Sequence, residues 1–154
     1  MTPEEMDMLV AAHLDAENTG DVAAAVAVYT EDVEHDVVGA PGGPLRGPEA
    51  AKHRYEQLLK EVRSDELVCT RRYYGENFCV VEHLCTCTVT GQFAGIPGNG
   101  RRVSFRMLHI FEFQFAKISR ENVWMDRASI MAQLAAPRAE MSVTSRSRRT
   151  RPGD

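Results

Sequence analysis

The sequence has little that would place the chain in or across a membrane. It contains no apolar run approaching the ~20 residues that a helix needs to span a bilayer. The first fifteen residues carry four acidic side chains and no lysine or arginine, whereas a secretory signal needs a basic start. We therefore predict a cytoplasmic protein that does not bind membranes.

The chain has four cysteines but no CxxC pair. Three of them, Cys79, Cys85 and Cys87, fall in a predicted pair of strands, where free thiols pack as small apolar groups. The sequence thus predicts no metal site, and nothing in it indicates an organic cofactor.

Basic residues are scarce outside the C-terminus. Residues 137–154 hold five arginines against Glu140 and Asp154 and carry +3, which leaves −7 for residues 1–136 out of a total of −4. An acidic domain is a poor candidate for nucleic-acid binding. We predict one domain over 1–136 and a disordered Arg/Ser-rich tail over 137–154.

Helix signals dominate the first 62 residues. Thr2 and Glu5 match a capping box with Pro3 at the first helical position, and Asp21 can cap a second, alanine-rich helix. A short strand over 33–38 and a Gly/Pro loop follow, and the segment EAAKHRYEQLLKEV has the apolar spacing of a third helix.

From residue 65 the pattern changes to that of β-strands. Four long segments rich in Val, Ile, Phe, Tyr and Thr predict antiparallel strands, with turns at 75–77 and 115–116 and a short helix after them. The resulting prediction is an α+β fold, in which three helices cover one face of a curved antiparallel sheet and leave a cavity at one end. On one face of the third long strand alternate Val103, Phe105, Met107, His109, Phe111 and Phe113.

Four segments in this order resemble the SnoaL-like polyketide cyclases of the nuclear transport factor 2-like superfamily. They are YTEDVEHDVVG, GPLRGPEAA, GQFAGIPGNGRRVSFR and the closing KIxxxxxWxD, and the resemblance covers residues 5–135. It implies the cone-shaped fold of that superfamily, a homodimer formed through the outer sheet face, and chemistry on an apolar small molecule.

The resemblance extends to ketosteroid isomerase, which implies three functional positions. A donor on the first helix falls on His13, a carboxylate base on Asp36, and a second donor on His109. For each we also considered a structural role: Asp36 as an acceptor for backbone amides at a strand end, and His13 as a hydrogen-bonded core residue. His109, placed among apolar neighbours, needs either a partner or a ligand.

Further residues are predicted to line the binding cavity or to avoid it. Strand alternation places His35 on the face opposite Asp36 and so outside the cavity, and His53 is predicted to be solvated. The predicted substrate-binding residues are Tyr29, His83, Phe105, Met107, Phe111, Val123 and Trp124.

Val123 marks a departure from the relatives. Limonene epoxide hydrolase and the characterised cyclases resemble each other in carrying a catalytic carboxylate at this place, and a valine cannot transfer a proton. Our first hypothesis is cofactor-free cyclisation or isomerisation of an apolar polyketide-, terpenoid- or steroid-like carbonyl compound, with Asp36 and His109 as the residues on which catalysis depends. The alternatives are a non-catalytic ligand-binding or dimerisation module, and a dehydratase.

Overall fold

The computed structural model describes residues 1–93 and 95–137. The predicted disordered tail lies outside the described residues, apart from Pro137. None of the described helices is long and apolar enough to cross a membrane.

Three helices precede the long strands and a fourth follows them, as predicted. The capping box of Thr2 and Glu5 opens the first helix, and Gly20, in the left-handed conformation at φ 79°, closes it. Asp21 caps the second helix through the Ala24 amide. The helices are α1 (Pro3–Thr19), α2 (Val22–Ala27), α3 (Pro48–Glu61) and α4 (Arg127–Ala135).

The four predicted long strands are present, together with a longer first strand and three two-residue strands in the Gly/Pro loops. The strands are β1 (Tyr29–Val37), β2 (Leu45–Arg46), β3 (Val62–Tyr74), β4 (Phe78–Val89), β5 (Gln92–Phe93), β6 (Ile96–Pro97), β7 (Arg101–Gln114) and β8 (Lys117–Met125). The predicted turn at Phe115 and Ala116 connects β7 to β8 with positive φ at both residues, although neither is glycine.

The main sheet is mixed rather than wholly antiparallel. Its order is β2-β1-β8-β7-β4-β3, and β1 runs parallel to β8 while the other neighbours are antiparallel. The predicted antiparallel pairing of the four long strands is confirmed, whereas the sequence did not place the isolated first strand, which runs parallel to the last.

The inner face of the sheet supports two apolar clusters with a cavity nearby. One cluster packs α1, α2 and α3 on the sheet around Met6, Val10, Tyr55 and Phe111. The other packs α4 on the opposite end around Phe105 and Ile130 and includes Cys85 and Cys87. Tyr55 of the first cluster and Met107, which packs against the second, both line that cavity.

The outer face of the sheet exposes several apolar side chains. Leu84 on β4 is 43 % exposed and Trp124 on β8 is 51 % exposed. The homodimer implied by the family resemblance stays a prediction, and this face is where we expect it to form.

Candidate functional site

A cavity of about 530 Å³ lies between the inner face of the sheet and α3. Its walls combine strand residues of β1, β7 and β8 with the helix and the short β5 strand. The lining residues include His35, Tyr55, Met107, His109, Glu121 and Val123. The cavity is large enough for a small organic molecule.

Three carboxylates line this cavity, those of Glu17, Glu61 and Glu121, and Glu121 is almost completely buried at 1 % exposure. Burial raises the pKa of Glu17 to about 7. Alternation along β8 turns Glu121, Val123 and Met125 toward the cavity, because successive strand residues face opposite sides of a sheet. Glu121 pairs with Phe111 on β7, and Val123 pairs with His109. The Glu121 carboxylate therefore lies two residues along the sheet from the pair that contains His109, the histidine predicted from the sequence.

Three donors from three different elements converge on Oε2 of Glu121. The hydroxyl of Tyr55 on α3 donates to it at 2.9 Å, and the hydroxyl of Tyr29 on β1 donates to it as well. Nε2 of His13 on α1 lies 3.3 Å away. Because a buried carboxylate is costly unless it is paired, this arrangement satisfies Glu121 and ties the helices to the sheet.

His13 and Glu121 form a buried ion pair. Burial by itself would lower the pKa of His13, but the charge of Glu121 and the hydrogen bond to it raise this pKa to about 9. Burial would raise the pKa of Glu121, but the charge of His13 and the hydrogen bond to it lower this pKa well below its usual value. Nδ1 of His13 also donates to the Ala25 carbonyl at 2.9 Å, so both ring nitrogens of the imidazolium have partners.

His109 is neutral and lies beside the other oxygen of Glu121. Its Nε2 is 3.6 Å from Oε1, and its Nδ1 is 3.3 Å from Nδ1 of His83. Burial lowers the pKa of both histidines to about 4. A lone pair on Nε2 would face a carboxylate oxygen, so we assign the Nε2–H tautomer of His109, with His83 donating to its Nδ1.

His35 and Asp36, which are neighbours on β1, have the opposite orientations to those predicted. His35, expected outside, lines the cavity with Nε2 at 3.9 Å from Oε2 of Glu121. Asp36 is absent from the residues lining the cavity, and its Oδ2 accepts a hydrogen bond at 2.8 Å from Nδ2 of Asn122. The predicted orientations were wrong, because β1 pairs with β8 in a register that turns the odd-numbered residues inward.

The other predicted substrate-binding residues fall into two groups. Met107 and Val123 line the cavity together with His109. Tyr29, His83, Phe105 and Phe111 are buried in the surrounding core, and the indole of Trp124 donates to Oδ1 of Asn122 from a half-exposed position. His13 lies behind Glu121 rather than in the cavity wall.

Sequence reasoning missed Glu121 and Tyr55. Glu121 is two residues before Val123 and therefore on the same strand face. The family resemblance implied a carboxylate at position 123 only, so Glu121 was not predicted. Tyr55 belongs to the apolar spacing of the segment EAAKHRYEQLLKEV, and its ring packs in the core, but its hydroxyl reaches the carboxylate.

The buried ion pair predicts how stability depends on pH. The raised pKa of His13 means that its contribution is fully present below its unfolded value of 6.5 and is lost as pH rises through about 9. The lowered pKa values of His83 and His109 remove stability as pH falls from 6.5 toward about 4. We expect urea denaturation to give a maximum near neutral pH, and His13→Asn to flatten the decline between pH 7 and 9. An alkaline decline that is unchanged in this variant would contradict the ion pair.

Together the fold and the site define an α+β cone of the nuclear transport factor 2-like type, with ionisable groups in an otherwise apolar cavity. A family model for SnoaL-like polyketide cyclases matches residues 7–134, and the chain belongs to that family. No curated protein matches the chain.

Solved structures share the fold at low sequence identity. TsrD from Streptomyces laurentii is 21% identical with a TM-score of 0.76, and the match covers 89% of this chain and 99% of TsrD. An LEH-like epoxide hydrolase of M. tuberculosis is 18% identical with a TM-score of 0.68, covering 85% and 90%. A protein of Catenulispora acidiphila with a ketosteroid isomerase-like fold, in complex with trimethylamine, is 17% identical with a TM-score of 0.69, covering 89% and 96%.

Proposed function

We propose that the protein is a cofactor-free acid/base catalyst that removes a proton next to a carbonyl of an apolar small molecule, with Glu121 as the base. The observation that carries this proposal is the asymmetry of the Glu121 carboxylate. Oε2 is held by Tyr29, Tyr55 and His13, whereas the contact of Oε1 with a described donor is the longer one to Nε2 of His109, at 3.6 Å. Oε1 is therefore the oxygen left to take a proton from a molecule in the cavity.

The lowered pKa of Glu121 limits which protons it can remove. A carboxylate held ionised by His13 and two tyrosines is a weak base, and proton transfer is efficient only when the donor and acceptor are not too far apart in acidity. The site thus favours a carbon acid between two carbonyl groups, as in a polyketide-like 1,3-dicarbonyl, over the less acidic carbon next to a single ketone.

His109 supplies the complementary donor. Its Nε2–H lies beside Oε1 of Glu121, so a substrate carbonyl placed over this pair receives a hydrogen bond where enolate charge develops. His35 lines the same cavity and offers a second ring nitrogen. Both histidines have lowered pKa values and act as neutral donors at pH 7.

The reaction follows from these roles. Oε1 of Glu121 takes the proton from the carbon, the electron pair of the C–H bond becomes the enolate, and His109 stabilises the enolate oxygen. The carbanion then attacks a second carbonyl of the same molecule, which closes a ring, or it regains a proton at another carbon, which isomerises the substrate. In the cyclisation, Glu121 returns its proton to the new alkoxide, so no other reactant is needed.

Deuterium exchange tests the proposal without knowledge of the natural substrate. An apolar β-keto ester with one acidic proton, ethyl 2-methyl-3-oxo-3-phenylpropanoate, is incubated in D₂O, and proton NMR follows the loss of that proton. The protein is expected to accelerate the exchange above the rate in matched buffer, with saturation at high probe concentration. Exchange at the buffer rate would count against a catalytic role.

A ligand-binding module is the second candidate, and Val123 favours it. Val123 on β8 is paired with His109 on β7, and its side chain cannot transfer a proton. At this pair of positions, therefore, only His109 can take part in acid/base chemistry. Saturable binding of the β-keto ester without faster exchange would support this alternative.

A further inference from the structure

A smaller cavity adjoins the main one at the N-terminal half of α3. It has a volume of about 260 Å³ and shares with the main cavity His35, Val37, Ala40, Pro41, Arg54 and Gln57. The shared wall includes one histidine of the catalytic site, so a molecule that reaches Glu121 can extend into this second space.

The smaller cavity has a positive lining. Among the described residues that line it, Arg54 carries a charge at neutral pH, and there is no aspartate or glutamate. Ala50, in the first turn of α3, also lines it, and the N-terminal end of a helix carries partial positive charge. Both features favour an anionic group in this space.

The guanidinium of Arg54 has no partner in the part of the chain that the structure describes. Within residues 1–93 and 95–137 its guanidinium makes no hydrogen bond or ion pair, although it is only partly exposed. Other arginines of the structure are engaged: Arg46 pairs with Glu34, and Arg127 donates to the Gly39 carbonyl. A partly buried arginine with five unused donors matches the geometry of a carboxylate.

We propose that the substrate carries a carboxylate, which Arg54 binds in the smaller cavity while the reacting carbonyls lie beside Glu121 and His109. This inference rests on the proposed function for the identity of the reacting end. Like charge keeps the substrate carboxylate away from ionised Glu121, so the two cavities together fix which end of the molecule meets the base. The substrate class is thus an apolar keto acid.

Two probes that differ only in charge test the assignment. 2-Naphthoate and methyl 2-naphthoate share the same rings, and titration calorimetry measures their dissociation constants. The protein is expected to bind the acid about tenfold more tightly than the ester, since a charge-assisted hydrogen bond contributes about this much. In Arg54→Gln the two affinities become equal, and Arg54→Lys, which keeps the charge but loses the planar fork, retains part of the preference.

Lys52→Gln, which removes a charge from α3 at a residue that lines neither cavity, serves as the matched control and should keep the preference. Equal affinities for acid and ester in the unmodified protein, no binding of either probe, or an unchanged preference in Arg54→Gln would each overturn the assignment. These outcomes are independent of exchange at the neutral β-keto ester, so a failure here is distinguishable from a failure of the proposed catalytic role.

Discussion

Replacing Glu121 with glutamine is expected to lower the rate of deuterium exchange at the β-keto ester by about 10²- to 10⁴-fold. Glutamine keeps nearly the same shape and can still accept hydrogen bonds from Tyr29 and Tyr55, but its amide cannot take a proton. The cavity and its affinity for the probe should therefore change little, and the loss should appear in the rate at saturation.

Glu56→Gln provides the control, because Glu56 is an exposed carboxylate of α3 that does not line the cavity. This variant should exchange the probe at the unmodified rate. If Glu121→Gln exchanged it equally fast, Glu121 would not be the base, and Glu17, another carboxylate that lines the cavity, would be the next residue to replace.

Replacing His13 with leucine is expected to lower the free energy of unfolding by about 3 kcal/mol at pH 7. Removal of one partner of a buried ion pair leaves the other charge without compensation, and such changes cost about 3–5 kcal/mol. The lower end applies here because Tyr29 and Tyr55 still donate to Glu121. Urea denaturation measures the difference.

A double-mutant cycle separates the ion pair from the loss of packing. His13→Leu combined with Glu121→Gln should be less destabilised than the sum of the two single variants, by more than about 1 kcal/mol. Arg46→Gln, which breaks the exposed pair with Glu34, should cost less than about 1 kcal/mol. Strictly additive effects of His13→Leu and Glu121→Gln would show that the two side chains do not interact.

The sequence was sufficient for most of the fold because its signals are local. The capping box at Thr2, the change of period at residue 65 and the alternation along β7 each follow from a few neighbouring residues. The position of β1 is not local: its pairing with β8 joins segments about 90 residues apart, and hydrophobic patterning does not encode such a register. The mixed sheet could not be predicted for that reason.

The site could be predicted only in part, because only some of its residues are marked by local signals in the sequence. His109 was identified because a polar ring in an apolar strand face is visible in a short window of sequence. The choice between His35 and Asp36 depends on the face that β1 turns inward, which the pairing with β8 decides. In the sequence Glu121 is one of two charged residues in the polar segment SREN, and only the convergence of His13, Tyr29 and Tyr55 distinguishes it from a solvated glutamate.

The protonation state of Glu121 is the physical claim from which the proposed chemistry follows, and carbon-13 NMR measures it directly. In protein labelled at the glutamate side-chain carboxyl carbon, comparison with Glu121→Gln assigns the Glu121 signal. We predict that this signal stays at the chemical shift of a carboxylate from pH 7 down to about 4.5, the ordinary pKa of glutamate. Titration of Glu121 with a midpoint above that value would contradict the ion pair with His13 and the account of the site built on it.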